Sequence, residues 1–207
     1  TEIYTLSLHD ALPILFITFF LMFGMAAVAE PLIITLIGRK WLPAVEYLRY
    51  LSIAASLYPL HALNMNILNV KGRSDLLLKL EVAKKILAVP VIVAGILLGI
   101  RILLIGMIIH SVVSYFVNSY YSGRLISYPA MEQLADVIPS FLTALLASGL
   151  VMLLTFVPGF PPYIMLIIQL VSLAVLMILL GRALRLNGYI EIRNIILEKF
   201  PGLNKIL

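Results

Sequence analysis

The chain is poor in charge: Asp, Glu, Lys and Arg make up 12% of its 207 residues, against 62% that are hydrophobic. With a mean hydropathy of +1.09 it has too little polar surface to coat a water-soluble globule. Cysteine is absent, which excludes structural disulfides and thiolate metal sites. Short segments of alternating polarity are also missing, which excludes a lipid-facing β-barrel. There is no Gly-rich phosphate loop, no metal-ligand spacing, no pair of carboxylates on one helix and no Ser/His/Asp set in an aqueous cleft. The sequence therefore predicts neither an enzyme nor a bound cofactor. Without a soluble basic domain, its net charge of +5 does not predict a nucleic-acid partner either.

What is present is a series of apolar runs of about 20 residues, the length at which a helix crosses about 30 Å of hydrocarbon. They predict an all-α, polytopic membrane bundle of six spans, at about 15–38, 43–70, 76–99, 101–121, 136–156 and 163–184, with an amphipathic surface tail over 185–207. Gly24, Ala27 and Val28 form a small-residue face in the first span, and Pro31 should kink it. Pro59 should bend the second. In the fourth, His110, Ser111, Ser114, Asn118 and Tyr121 share a face, where small polar groups bond to neighbouring helices.

Lys71, Arg73, Lys79, Lys84, Lys85, Arg124, Arg182, Arg185, Arg193, Lys199 and Lys205, 11 of the 15 basic residues, fall on one side of such a bundle. Arg39, Lys40, Arg49 and Arg101 fall on the other. The excess of positive charge on the inner side predicts that the larger set is cytoplasmic and the C-terminus with it.

Charge and polarity at membrane depth are costly, so they mark the candidate functional residues. Glu30 lies in the first span and suits a coupling carboxylate or a cavity wall, or a side chain reaching for the outer interface. His61 and Asn64 sit on a polar stripe of the second span, with Tyr47, Tyr50 and Tyr58, and suit either an aqueous path or hydrogen-bonded packing. Lys84 and Lys85 open the third span and suit a mobile anion such as phosphate, or ordinary anchoring at the membrane surface.

Two resemblances add to this. Residues 1–14, TEIYTLSLHDALPI, resemble the translation of a common sequencing-library adapter residue for residue. That implies a cloning or assembly artefact, the alternative being an amphipathic lead into the first helix, and it removes functional weight from Glu2, His9 and Asp10. A first residue of Thr leads us to expect a fragment of a longer protein.

The second lies in two turns. Gly38-Arg39-Lys40-Trp41-Leu42-Pro43-Ala44 resembles a G-x-x-W-x-P-A pattern, and Gly72-Arg73-Ser74-Asp75 a G-R-x-D turn. With their flanks, from 16 to 121, they resemble the C-terminal part of bacterial polysaccharide flippases. These are the lipopolysaccharide, O-antigen and exopolysaccharide exporters of the multidrug/oligosaccharidyl-lipid/polysaccharide (MOP) superfamily; spans five and six match only in hydropathy. The resemblance implies a two-lobe transporter of the bacterial inner membrane, with membrane lipids, an undecaprenyl-diphosphate-linked oligosaccharide and a missing N-terminal lobe as partners. Alternatives are a multidrug or metabolite cation antiporter of the same superfamily, in which Glu30 matters more, and a non-transporting scaffold of polysaccharide assembly. A membrane-embedded glycosyltransferase would need large loops, and every loop here is short. The G-R-x-D turn also has a structural reading: Gly72 ends one helix, and Ser74 or Asp75 caps the next.

Overall fold

The computed structural model describes residues 2–199, with side chains described over 11–198. The side chains of Glu2, His9, Asp10 and Lys199, and the whole of Phe200 and Lys205, lie outside the described residues. The described chain is all-helical: α1 (Glu2–Ala27), α2 (Ala29–Ile37), α3 (Pro43–Ala55), α4 (Tyr58–Val70), α5 (Ser74–Leu98), α6 (Ile100–Ile126), α7 (Ala130–Leu153), α8 (Pro162–Ala183) and α9 (Asn187–Lys199). Short 3-10 turns occupy Arg39–Trp41 and Leu154–Phe156.

α1 is the central post, packed by α3, α4, α7, α8 and α9. Leu15, Phe16, Phe19, Phe20 and Phe23 recur at helical spacing, so one apolar stripe is buried along its length. Phe141 of α7 meets Phe19 and Phe23 edge-on at centroid distances of 5.4 and 5.0 Å. Gly24 lets Leu173 of α8 lie where a Cβ would stand. The tail helix α9 folds back onto the same post, with Tyr189 edge-on to Phe16.

Two expected spans are broken, each by the same cause. A proline cannot donate to the carbonyl four residues before it, and its ring crowds that carbonyl. Pro31 therefore ends α1 at Ala27, and the chain bends by 68° into α2. Pro59 likewise ends α3 at Ala55, so the break precedes the proline, which itself lies inside the first turn of α4. Side chains bond to the backbone beside each break. Arg49 Nε donates to Ala26 O at 3.3 Å, and Ser56 Oγ to Ile53 O at 2.7 Å.

The turns close themselves. Gly72, at φ +66°, follows α4; its N–H bonds Asn69 O at 2.9 Å, and the Arg73 N–H bonds Leu68 O at 2.9 Å. This reciprocal pair, closed across a left-handed glycine, satisfies the last carbonyls of the helix. The cap expected from Ser74 or Asp75 is replaced: Arg73 precedes α5, which has no side-chain cap, and Arg73 grips Asp75 with Nε and Nη2 at 3.0 Å each. Gly99, at φ +99°, joins α5 to α6 with no intervening loop.

Three helices, α6, α7 with its 3-10 extension, and α8, are long and apolar enough to cross a membrane; the bent pair α1–α2 makes a fourth if it counts as one pass. The third expected span falls outside that set because every 18-residue stretch of α5 contains Glu81, Lys84 and Lys85. α3 and α4, at 13 residues each, are too short singly. Most large apolar side chains of α5 lie exposed, and Leu80 alone of its described residues is buried. Such a surface suits lipid.

The α5–α6 hairpin depends on close approach at two glycines. A Cβ on Gly95 would stand 2.6 Å from Leu103 Cβ, and one on Gly106 2.6 Å from Val91 Cγ1. Gly95→Ala is expected to destabilise the protein by about 1–3 kcal/mol, because Leu103 Cβ is fixed to its backbone and cannot rotate away. Gly149→Ala on α7, where a Cβ meets nothing within 4 Å, should instead be neutral or stabilising by up to about 1 kcal/mol. Thermal unfolding of the purified protein in detergent compares the two.

Candidate functional site

α6 runs parallel to the α3–α4 pass, and contacts along it set a depth scale. At one end, the Arg101 guanidinium reaches Glu46 of α3 at 2.8 Å. Further along, Ser111 donates to Ala54 O at 3.1 Å, beside the break between α3 and α4. At the other end, Ser119 and Ser122 meet Asn64 of α4 and Gln133 of α7.

A groove of about 670 Å³ lies between the broken α3–α4 pass, α5 and α6. Its polar lining is Tyr58, His61, Glu81, Lys84, His110, Ser111 and Ser114. The Lys84 ammonium lies 2.5 Å from Glu81 one turn earlier, and it also approaches Met65 Sδ at 3.9 Å. His110 Nε2 pairs with Lys84 O at 2.9 Å, tying α6 to the α5 backbone. His61 Nε2 lies 3.1 Å from Ser111 Oγ. Since the single Ser111 proton goes to Ala54, His61 Nε2 is the donor, which leaves Nδ1 without a partner. Among the described residues no three of His, Asp and Glu are grouped to hold a metal ion.

Below the groove the amide of Asn64, fully buried, sits at the centre of a network. Its Nδ2 donates to Leu60 O at 2.9 Å and lies 3.1 Å from both Ser119 Oγ and Gln133 Oε1. Ser122 Oγ donates to its Oδ1. Gln133 Nε2 donates in turn to Tyr128 O at 3.0 Å. Three helices are thereby cross-linked by side chains with no access to water, where each bond replaces an expensive unsatisfied group.

The sequence-predicted residues therefore divide. His61 and Lys84 share the groove, and Asn64 belongs to the packed network beneath it. Lys85 is exposed on another side of α5, about 100° around the helix from Lys84, and does not line the groove. Glu30 is half-buried in the first turn of α2, in a separate pocket of about 270 Å³ that holds Arg39, Thr155 and the turn through Gly159. Tyr58, in the first turn of α4, is 71% exposed and stands at the edge of the same groove as His61. His110 and Ser111 do bond to neighbouring helices, but Ser114 and Asn118 do not.

Residues the sequence reading missed are Ser119, Ser122, Glu81 and Gln133. The spacing Ser111, Ser114, Asn118, Ser122 could have carried the stripe one turn past Tyr121. Gln133 was hidden because α7 begins at Ala130, six residues before the expected span, behind Pro129.

At the basic end, the Arg73 guanidinium beside Asp75 holds its carboxyl at about 2, below the ordinary 3.8. The folded value is the lower one, so the pair contributes its full stability above about pH 4 and loses it as pH falls toward 2. Asp75→Asn should remove that part of the acid dependence, read as the change in unfolding midpoint between pH 4 and pH 2.5. In the network, Asn64→Leu takes away the acceptor of Ser122 and one donor to Gln133 and is expected to cost about 2–4 kcal/mol. Denaturant unfolding in detergent measures it, and Gln133→Leu in the same chain should add less than its own single effect.

No family model, curated protein or solved structure matches this chain.

Proposed function

We propose that the chain is the C-terminal part of a bacterial polysaccharide flippase of the MOP superfamily. In this reading it forms six passes of a two-lobe inner-membrane transporter: α1–α2, α3–α4, α5, α6, α7 and α8, with the C-terminus in the cytoplasm. The transporter moves undecaprenyl-diphosphate-linked oligosaccharide between leaflets by alternating access. The N-terminal lobe would be a further part of the same protein, and residues 1–14 have no part in transport.

The groove is the observation that carries the reading. A flank lined by an ion pair, two histidines and two serines is costly against hydrocarbon, so it belongs against water or another protein surface. The wall of a substrate cavity between two lobes is such a place. Breaks in two passes fit a transporter in which discontinuous helices border the substrate path. The two turns that resemble the flippase patterns, at Gly38 to Ala44 and Gly72 to Asp75, supply the family.

Lys84 and Lys85 differ in position alone, which makes them a matched pair. In the full-length protein Lys84→Ala should reduce export of the lipid-linked sugar about tenfold at unchanged abundance, the effect of losing one charged contact. Lys85→Ala should leave it near the parental level. Equal export in both variants removes the groove from the transport path. Sequencing the gene upstream should reveal further spans; a start codon near Leu15 with none before it overturns the flippase reading.

A further inference from the structure

The polar stripe of α6 continues inward from the groove and changes character as it goes. Ser111 and Ser114 line the groove; Asn118 follows one turn later, and Ser122 joins the Asn64 network one turn after that. From Ser111 to Ser122 the stripe rises about 16 Å, roughly half the hydrocarbon thickness. Its two ends are hydrogen-bonded to other helices. Its middle is not. Ser114 is 4% exposed and Asn118 0%, yet Ser114 Oγ and both amide atoms of Asn118 have no partner in the protein. His61 lines the same groove, and its buried Nδ1 is likewise without one.

Four orphan polar atoms in one region do not fit dry packing. A buried amide without partners is among the more expensive groups a protein can hold, and a primary amide offers two donors and two acceptor sites. We infer that the middle of the α6 stripe binds a file of ordered water that extends the groove inward to the Asn64–Ser122–Gln133 network. Each water in such a file needs two to four polar partners. Ser114 Oγ, His61 Nδ1 and the Asn118 amide provide them, and the file ends at the already bonded Asn64–Ser122 pair. The groove is then the mouth of a hydrated seam along one face of α6, while the opposite face, carrying Val112, Val113 and Phe116, meets lipid. The inference does not depend on the identity of any transported substrate.

Thiol chemistry separates wet from dry, because the reactive thiolate forms only where water solvates it. The chain contains no cysteine of its own, so each variant adds a single defined thiol. Ser114→Cys, nearly isosteric, and Val113→Cys, one residue away at the same depth, are treated in membranes with a small water-soluble methanethiosulfonate. Modification of Ser114→Cys at least about tenfold faster than Val113→Cys is expected. Equal rates overturn the inference. Asn118→Leu tests the deeper part through thermal unfolding. If the amide is solvated by bound water, removing it leaves those waters short of partners and lowers the melting temperature. A rise, as expected on relieving a dry unsatisfied amide, overturns the inference as well. Should Asn118→Leu fail to accumulate, Asn118→Cys treated in the same way decides, a rate equal to that of Val113→Cys overturning the inference.

Discussion

A proline inside an apolar helix removes a backbone donor and interrupts the ladder, and much of this structure follows from how the chain is met by side chains beside two such breaks. Ala27 and Ala55 each lose an amide donor to a proline four residues on, and each ends its helix. The consequences diverge. At the first break the chain turns by 68° and the nearby Ala26 carbonyl is taken by Arg49. At the second, Ala54 O is taken by Ser111 across the bundle, and the gap in the helix becomes part of the groove wall. A backbone defect in one pass and a serine in another thus build one site together.

α6 collects the polar side chains of the bundle, and its neighbours divide the tasks. Its exposed end is held by charge, through Arg101 and Glu46, where water screens the pair and the net gain is small. Its inner end is held by neutral amides and hydroxyls, which need good geometry but avoid the penalty of burying ions. Lys84 and Glu81 lie between these regimes. Paired at 2.5 Å and only partly buried, they present the groove with a neutralised ammonium rather than a free one.

Helical class, the run of apolar segments and the kink at Pro31 were legible because they rest on composition and on local stereochemistry. The groove was legible only in part. His61 and Lys84 could be named from their depth, but the groove in which they meet is bordered by the break that Pro59 places at Ala55. Gln133 escaped because a polar residue near a predicted helix start reads as a loop, whereas Pro129 starts the helix earlier and carries Gln133 into the interior. Lys84 and Lys85 were equivalent as letters and became different through a single step around α5. Glu30 kept its depth but not its company, since the bend after Ala27 aims it at the turn through Gly159.

The contact between Arg49 and Ala26 also bears on the order in which the molecule is made. The hairpin of α4 and α5 is capped by its own backbone at Gly72, so it can be complete as soon as both helices exist. The bend after α1 is set locally by Pro31, but the bond beside it is not. The Ala26 carbonyl is met by a guanidinium encoded 23 residues later, so that bond can form only once the second pass lies beside the first, against the post on which most of the other helices are stacked.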